Sequence, residues 1–319
     1  MEKMDNSASR EMGQEAYKIG DYDLATFYYR QALKMHPEDY EMRVTLGSVL
    51  ILQSNFDEAA KVYIDGATLL EKRGESNELL GNMHISLAEV YLRLHRFEES
   101  QAQLEIAGRT GANLAFLCEA RGRGYNTRGE YDKAFIAYQE YINLTPTDQD
   151  GYLGLAEAHC GLKQYDLAAQ SLSIAKSLAP DDYWVEIALG NLAMTLEDYK
   201  NALDHYKNAQ DLDPHKPAVT FSIGRAYLMM QDYVSARKTF SLALERRPND
   251  AGSLCGLAQA EIIEGNTRQA IALLKTAILI DPHDRSYYIM LYQAQKVAGK
   301  WFDAFRTDLQ TRKLFGQKA

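Results

Sequence analysis

The chain has 319 residues, 46% of them apolar and 25% charged, a globular balance that excludes disorder and, by length alone, suggests two or three ordinary domains. Its 44 acidic against 35 basic residues leave a net charge of −9, which is ill suited to displacing counterions from a nucleic-acid duplex. Seven prolines exclude a proline-rich chain, and three scattered cysteines argue against a disulfide scaffold and for a reducing compartment.

From the N-terminus, Met1 to Gly13 is polar and charged, without the apolar h-region of a secretory signal. No later stretch reaches the roughly 18 to 20 uninterrupted apolar residues of a membrane helix. With Met1 as the natural start, the chain reads as cytoplasmic, without membrane insertion. A repeat then begins. Prolines stand at Pro37, Pro146, Pro180, Pro214, Pro248 and Pro282, the last five spaced by 34 residues each. Starting each repeat 31 residues before its proline aligns the other places. The eighth place holds a small residue: Gly13, Gly47, Ala88, Gly122, Ala156, Gly190, Gly224 and Ala258. The twentieth is small again, from Ala25 and Ala59 through Ser100, Ala134, Ala168, Ala202 and Ala236 to Ala270. The twenty-fourth is a large apolar residue: Tyr29, Tyr63, Leu104, Tyr138, Leu172, Tyr206, Phe240 and Leu274. The seventeenth is aromatic from Tyr22 to Tyr233, with Thr267 the exception.

Each repeat predicts two helices joined by a turn, as at Gly20-Asp21 and Gly129-Glu130. The small places let the paired helices approach and the bulky ones fill the space beside them. The proline ends the second helix and starts the next repeat. One hairpin cannot cover its own apolar stripe, so the repeats must stack. The count is eight full repeats, a degenerate ninth, about 18 helices and no strands. A seven-residue insertion between Leu70 and Met83 predicts either a loop around Gly74-Glu75-Ser76-Asn77 or a longer helix pair, Ile64 to Lys72 and Leu79 to Leu94. The ninth repeat keeps Gly299, Trp301 and Ala304 but has Asp308 at its twenty-fourth place. Residues 300–315 are expected to form a capping helix that docks Trp301, Phe302, Phe305, Leu309, Leu314 and Phe315 on repeat eight. From Lys296 to the end there are six Lys or Arg against two Asp, a local +4 that leaves −13 on the rest; the basic tail reads as a solvated cap.

In these places the chain resembles the tetratricopeptide repeat family, over roughly residues 6 to 316, with Tyr17 to Asp39 close to the family consensus. It departs at Glu71 and Ala112, which stand where prolines belong, and at Tyr141 in the usually small twenty-seventh place. The resemblance implies an all-α, right-handed superhelix, an α-solenoid of about eight full repeats plus a C-terminal capping helix. It is divided as 1–79 (repeats one and two), 80–284 (repeats three to eight) and 285–319 (degenerate repeat and cap), in one continuous stack.

Catalytic signatures are missing. The histidines, His36, His84, His95, His159, His205, His215 and His283, form no HExxH pair, and His36, His215 and His283 adjoin repeat-ending prolines. Cys118, Cys160 and Cys255 fall in different repeats and read as packing residues. Gly122-Arg123-Gly124 with Gly129 is not a phosphate loop, because no strand precedes it. There is no GxSxG elbow and no Walker GKS or GKT. The chain therefore reads as non-enzymatic, without cofactor or metal.

The resemblance further implies that the first helix of each repeat lines a concave wall through its second, fifth, ninth and twelfth places. Repeats one to three present mostly polar groups there: Arg10, Gln14, Ser48, Asn82 and Glu89, with Val44 and Ile85 between them. Repeats four and five add Phe116, Glu119, Arg123, Asn126, Asp150, Leu153 and Glu157; repeats six to eight add Trp184, Ile187, Asn191, Met194, Phe221, Arg225, Leu228, Cys255, Gln259 and Ile262. Phe116, Arg123, Asn126, Trp184, Ile187, Asn191, Phe221, Arg225 and Leu228 are the candidate partner-binding residues, with Arg225 and Asn191 as polar pins, while Cys255 and Ile262 read as core. A clamp for a C-terminal carboxylate is disfavoured, since Thr45, Asn82 and Ser86 carry no cation. The expected function is a scaffold or adaptor that holds a peptide or protein segment in the groove. The alternatives are a self-associating homo-oligomer, a chaperone for exported or assembling subunits, and a regulatory subunit that positions an enzyme.

Overall fold

The computed structural model describes residues 6–74, 77–214, 216 and 218–316. Met1 to Asp5, Glu75, Ser76, His215, Pro217 and the tail residues Gln317 to Ala319 lie outside the described residues. The described chain contains eighteen α-helices and no strand: α1 (Asn6–Lys18), α2 (Tyr22–Met35), α3 (Tyr40–Leu52), α4 (Phe56–Arg73), α5 (Asn77–Arg93), α6 (Phe97–Arg109), α7 (Leu114–Arg128), α8 (Tyr131–Leu144), α9 (Gln149–Gly161), α10 (Tyr165–Leu178), α11 (Tyr183–Thr195), α12 (Tyr199–Leu212), α13 (Ala218–Met229), α14 (Tyr233–Arg246), α15 (Ala251–Ile263), α16 (Thr267–Ile280), α17 (Arg285–Val297) and α18 (Trp301–Phe315). Odd-numbered helices open a repeat and even-numbered helices close it, the architecture of an all-α solenoid. The chain forms two compact bodies, Met1–Ile174 and Ala175–Ala319, with α10 divided between them.

Within each hairpin, packing follows the repeat places. The twentieth-place alanines Ala25, Ala59, Ala134, Ala168, Ala202, Ala236 and Ala270 are all fully buried. The eighth and twenty-fourth places meet directly. A Cβ built on Gly13 would lie 2.4 Å from the Tyr29 ring, and one on Gly47 2.5 Å from Tyr63. The same holds for Gly122 on Tyr138, Gly190 on Tyr206 and Gly224 on Phe240. Where the twenty-fourth place is Leu, at Leu104, Leu172 and Leu274, the eighth is Ala: Ala88, Ala156 and Ala258. The summed volume across the hairpin is thereby kept near constant, as close packing demands.

Turns and caps repeat too. The fifteenth place always has positive φ, in Gly20, Gly129, Gly265 and Gly299 and equally in Ser54, His95, Lys163, Glu197 and Gln231. This left-handed residue ends the first helix, and glycine would adopt it without the Cβ penalty. Aspartates then start the following helices: Asp21, Asp198 and Asp232 accept backbone N–H bonds at α2, α12 and α14, and Asp39, Asp148, Asp182, Asp250 and Asp284 do so at α3, α9, α11, α15 and α17.

The family departures have local answers. Without a proline at Glu71, α4 runs 18 residues and ends at the left-handed Gly74, and α5 runs 17 residues. The insertion therefore lengthens a helix pair, and Glu75 and Ser76 of the alternative loop lie outside the described residues. Tyr141 is buried, its hydroxyl donating to Asp148 Oδ2 at 2.6 Å, and Gly151 of the next repeat leaves room for its ring.

The cap requires a correction. A helix does form at 301–315, but Trp301, Phe302, Phe305, Leu309 and Leu314 are 54–74% exposed. The docked face is instead Ala304, Thr307 and Thr311, packed against α17, with Thr307 Oγ1 donating to Gln295 Oε1 at 2.9 Å. Only Phe315 of the expected set turns inward, edge-on to Tyr288 with ring centroids 5.5 Å apart. Ala304 and Thr311 stand at the twentieth and twenty-seventh places, the face that the other second helices also bury, as at Ala202 and Ala209, whereas Asp308 puts an ionic group at the twenty-fourth.

Two substitutions test this register. Ala236→Glu should cost on the order of 3 kcal/mol by burying an unpaired charge in a filled site, seen as a lowered urea midpoint. Gln231→Gly should stabilise by about 0.5 to 1 kcal/mol, because relief of the left-handed strain outweighs the added unfolded-state entropy.

Candidate functional site

In the N-terminal body the candidate residues sit on α7. The Asn113 side chain accepts from the N–H groups of Ala115 and Phe116 at 3.0 and 3.3 Å, which fixes the first turn and holds the Phe116 side chain 53% exposed. Two turns on, Arg123 joins a charge network: Nη1 donates to Glu89 Oε2 of α5 at 3.1 Å and Nη2 to Glu119. Burial disfavours the guanidinium charge, but Glu89 and Glu119 outweigh it and raise its pKa. Asn126 is not an exposed contact. It is 5% exposed, and its Nδ2 donates to the Gly154 carbonyl at 3.0 Å and to Glu157 Oε2 at 3.1 Å of α9. Burial raises the pKa of Glu157 against the opposing pull of Asn126 and Arg123. Asn126 thus ties the first helices of repeats four and five together instead of waiting for a partner.

In the C-terminal body Trp184 opens α11, its backbone N–H held by Asp182 at 2.8 Å and its ring edge-on to Tyr183 at 5.0 Å. The side chain is 56% exposed, and Lys216 Nζ lies 5.0 Å from its centroid and 4.2 Å from that of Tyr183. Asn191 is exposed, and its Oδ1 accepts from the Tyr206 hydroxyl at 2.7 Å. Burial raises the Tyr206 pKa to about 12, only partly offset by Arg225. Arg225 is exposed, its guanidinium 5.8 Å from the Phe221 ring centroid.

The other apolar candidates are partly or wholly withdrawn. Ile187 is half-buried against the core around Tyr206 and Val219. Phe221 is half-buried against Phe240 at 6.0 Å. Leu228 is 8% exposed within the core of Ala236 and Phe240, a correction to its place on the wall. The twelfth place has rotated into the neighbouring hairpin, which also withdraws Asn126. Cys255 is buried and Ile262 packs on the same core, as expected of core residues. Burial pushes the Cys255 thiol up to about 11 and raises Cys118 and Cys160 as well, so all three are thiols near neutral pH.

One polar cluster escapes sequence reasoning. Glu186 is 2% exposed, with Lys176 Nζ at 2.6 Å, His205 Nδ1 at 2.8 Å and Asn208 Nδ2 at 3.3 Å. Burial pushes its pKa up, but the donors prevail and hold it below the ordinary value of 4.5. Glu261 of α15 is equally buried and accepts from Asn266 Nδ2 at 2.7 Å. An acidic residue inside an otherwise apolar stripe was the available signal.

Three models of the tetratricopeptide repeat family match residues 10–68, 193–253 and 251–284. No curated protein sequence matches the chain. Solved structures do. A chain of the APC/C hetero-tetramer Cut9–Hcn1 superposes with a TM-score of 0.65 at 18% identity, covering 88% of this chain and 54% of that one. The present chain therefore spans about half the length of that relative. Pseudomonas aeruginosa PilF has a TM-score of 0.54 at 18% identity, covering 64% of this chain and 93% of its own. A thermophilic tetratricopeptide repeat protein from Thermus thermophilus gives 0.53 at 20%, covering 57% of this chain and 99% of its own.

Glu186 makes stability depend on pH. Its folded pKa is lowered, so its contribution is complete above the ordinary value of 4.5 and is lost as pH falls through the folded value. The urea midpoint of the wild type should exceed that of Glu186→Gln near neutral pH, and the gap should narrow as pH falls below the ordinary value of 4.5. A constant gap across that range would assign the effect to packing alone.

Proposed function

We propose that this chain, which belongs to the tetratricopeptide repeat family, is a non-enzymatic scaffold that holds a peptide or protein segment against the exposed faces of its first helices. Repeats of this family serve in general to bind other proteins. The observation that carries the finer reading is Trp184, an aromatic 56% exposed yet held at a defined angle by Asp182 and Tyr183. A rigid, exposed aromatic beside cations and an amide is the composition of a binding hot spot: Lys216 stands over the ring, and Asn191 follows two turns on. In the N-terminal body Phe116 repeats the pattern beside Glu119 and Arg123 on α7. Support for the non-enzymatic part is the raised pKa of all three thiols and the repeat-packing role of the Gly122 motif. Among the described residues no helix is long and apolar enough to cross a membrane. The isolated, free cysteines favour a cytoplasmic site of action.

The test begins with affinity purification of a partner by the wild-type chain and its identification by mass spectrometry. Titration of that partner against Phe116→Ala, Trp184→Ala and Arg225→Ala follows. These residues are exposed, so the melting temperature should not move. Phe221 is unsuitable, because its contact with Phe240 would confound binding with stability. Trp184→Ala should weaken binding about 30-fold, equivalent to the ~2 kcal/mol of a hot-spot aromatic. Unchanged affinity in all three variants would reject the first-helix face.

A further inference from the structure

The last helix presents a second apolar face. Ala304, Thr307 and Thr311 dock α18 against α17, and the hydrogen bond from Thr307 to Gln295 fixes that orientation. At about 100° per residue, Trp301, Phe305, Leu309 and Phe302 share one arc on the side away from the docked face. They are 65%, 63%, 59% and 74% exposed. Arg306 and Lys313 border this arc on one side, Asp308 borders it on the other and is paired with Arg312 at 2.9 Å, and Asp303 falls outside it. Lys296 adds its ammonium 5.8 Å from the Trp301 centroid. Leu279 of α16, 83% exposed, shares a cleft with Leu309 and Lys313, extending the patch beyond one helix.

Four large side chains in one exposed row are more than a solvated cap requires. Of the four, only Leu309 lines that cleft, so the row as a whole offers a peptide no continuous groove. A second copy packed antiparallel on the same row would set Arg306 and Lys313 against their own equivalents. A flat anionic surface satisfies both halves of the pattern, taking aromatic rings into its headgroup boundary and pairing cations with its headgroups. The local charge of +4 from Lys296 onward, in a chain that is otherwise −13, would orient this end toward such a surface.

We propose that α18 is a peripheral membrane-docking element that lays Trp301, Phe302, Phe305 and Leu309 into the interface of an anionic lipid bilayer, with Arg306 and Lys313 on the headgroups. The docking is adsorption on one leaflet and leaves the repeat stack outside the membrane.

The experiment uses the full chain with vesicles of phosphatidylcholine alone and of phosphatidylcholine with about 30% phosphatidylserine. Cosedimentation is expected with the second and not the first, weakening as salt rises toward about 0.5 M. In a Trp184→Phe background the remaining Trp301 should shift its emission to the blue on adding anionic vesicles. Phe302→Ser with Phe305→Ser should lower the bound fraction at least about tenfold, and so should Arg306→Glu with Lys313→Glu. These exposed positions should leave the melting temperature unchanged, and Phe116→Ser should leave vesicle binding unchanged. The proposal is overturned by failure to bind either vesicle, by equal binding to both, or by binding that survives both double variants. It is overturned as well if light scattering shows a dimer that Phe302→Ser with Phe305→Ser converts to monomer, which would assign the face to self-association.

Discussion

Everything in this molecule depends on how closely the two helices of a hairpin can approach. One ring or leucine, from the twenty-fourth place of each of the eight full repeats, presses on the first helix at the eighth place. An aromatic there requires glycine opposite, and a leucine is matched by alanine. Tyr63 on Gly47 and Leu104 on Ala88 are two solutions of one volume equation. The spacing so set decides which residues of the first helix point along the stack, which enter the next hairpin and which reach water.

The candidate site follows from that geometry. Trp184 and Phe116 stand in the first turns of α11 and α7, where the aspartate or asparagine cap holds the backbone and the neighbouring hairpin has not yet closed over the side chain. Residues about three turns into a first helix lie deeper. Asn126 of α7 and Leu228 of α13 are therefore structural, one through hydrogen bonds to the next first helix and the other through apolar contact. The buried carboxylate of Glu186 is satisfied by Lys176 from the preceding helix and by His205 and Asn208 from the following one, which ties three successive helices together.

The two ends of the repeat logic differ in kind. Inside the array, an apolar twenty-fourth place turns every second helix toward its partner. At α18 the residue is Asp308, paired with Arg312 at 2.9 Å, and the eighth-place residue is Tyr292 rather than a small one. The volume match is broken there, although Ala304 and Thr311 keep the inward twentieth and twenty-seventh places of the other second helices, and Phe302 and Leu309 put large apolar side chains at the eighteenth and twenty-fifth places, where Asp23 and Arg30 of the first repeat are exposed.

Much of the fold was legible in the residues themselves. A 34-residue period, alanine at one place and an aromatic at another, leaves only hairpins that stack, and the fifteenth-place turn from Gly20 to Gly299 marks each corner. The lengths of α4 and α5 were not legible, because the residues on either side of the insertion suit a helix or a loop equally, and the packing of α4 on α5 selects long helices. The facing of α18 follows the small twentieth and twenty-seventh places, Ala304 and Thr311, rather than its aromatics, but the inward turn of Asn126 and Leu228 was not legible. Period and volume are properties of the chain read along its length, so the sequence alone determined the helices and their pairing. Rotation of a helix about its own axis depends on what its neighbours leave unfilled, and that was decided only when the hairpins came together.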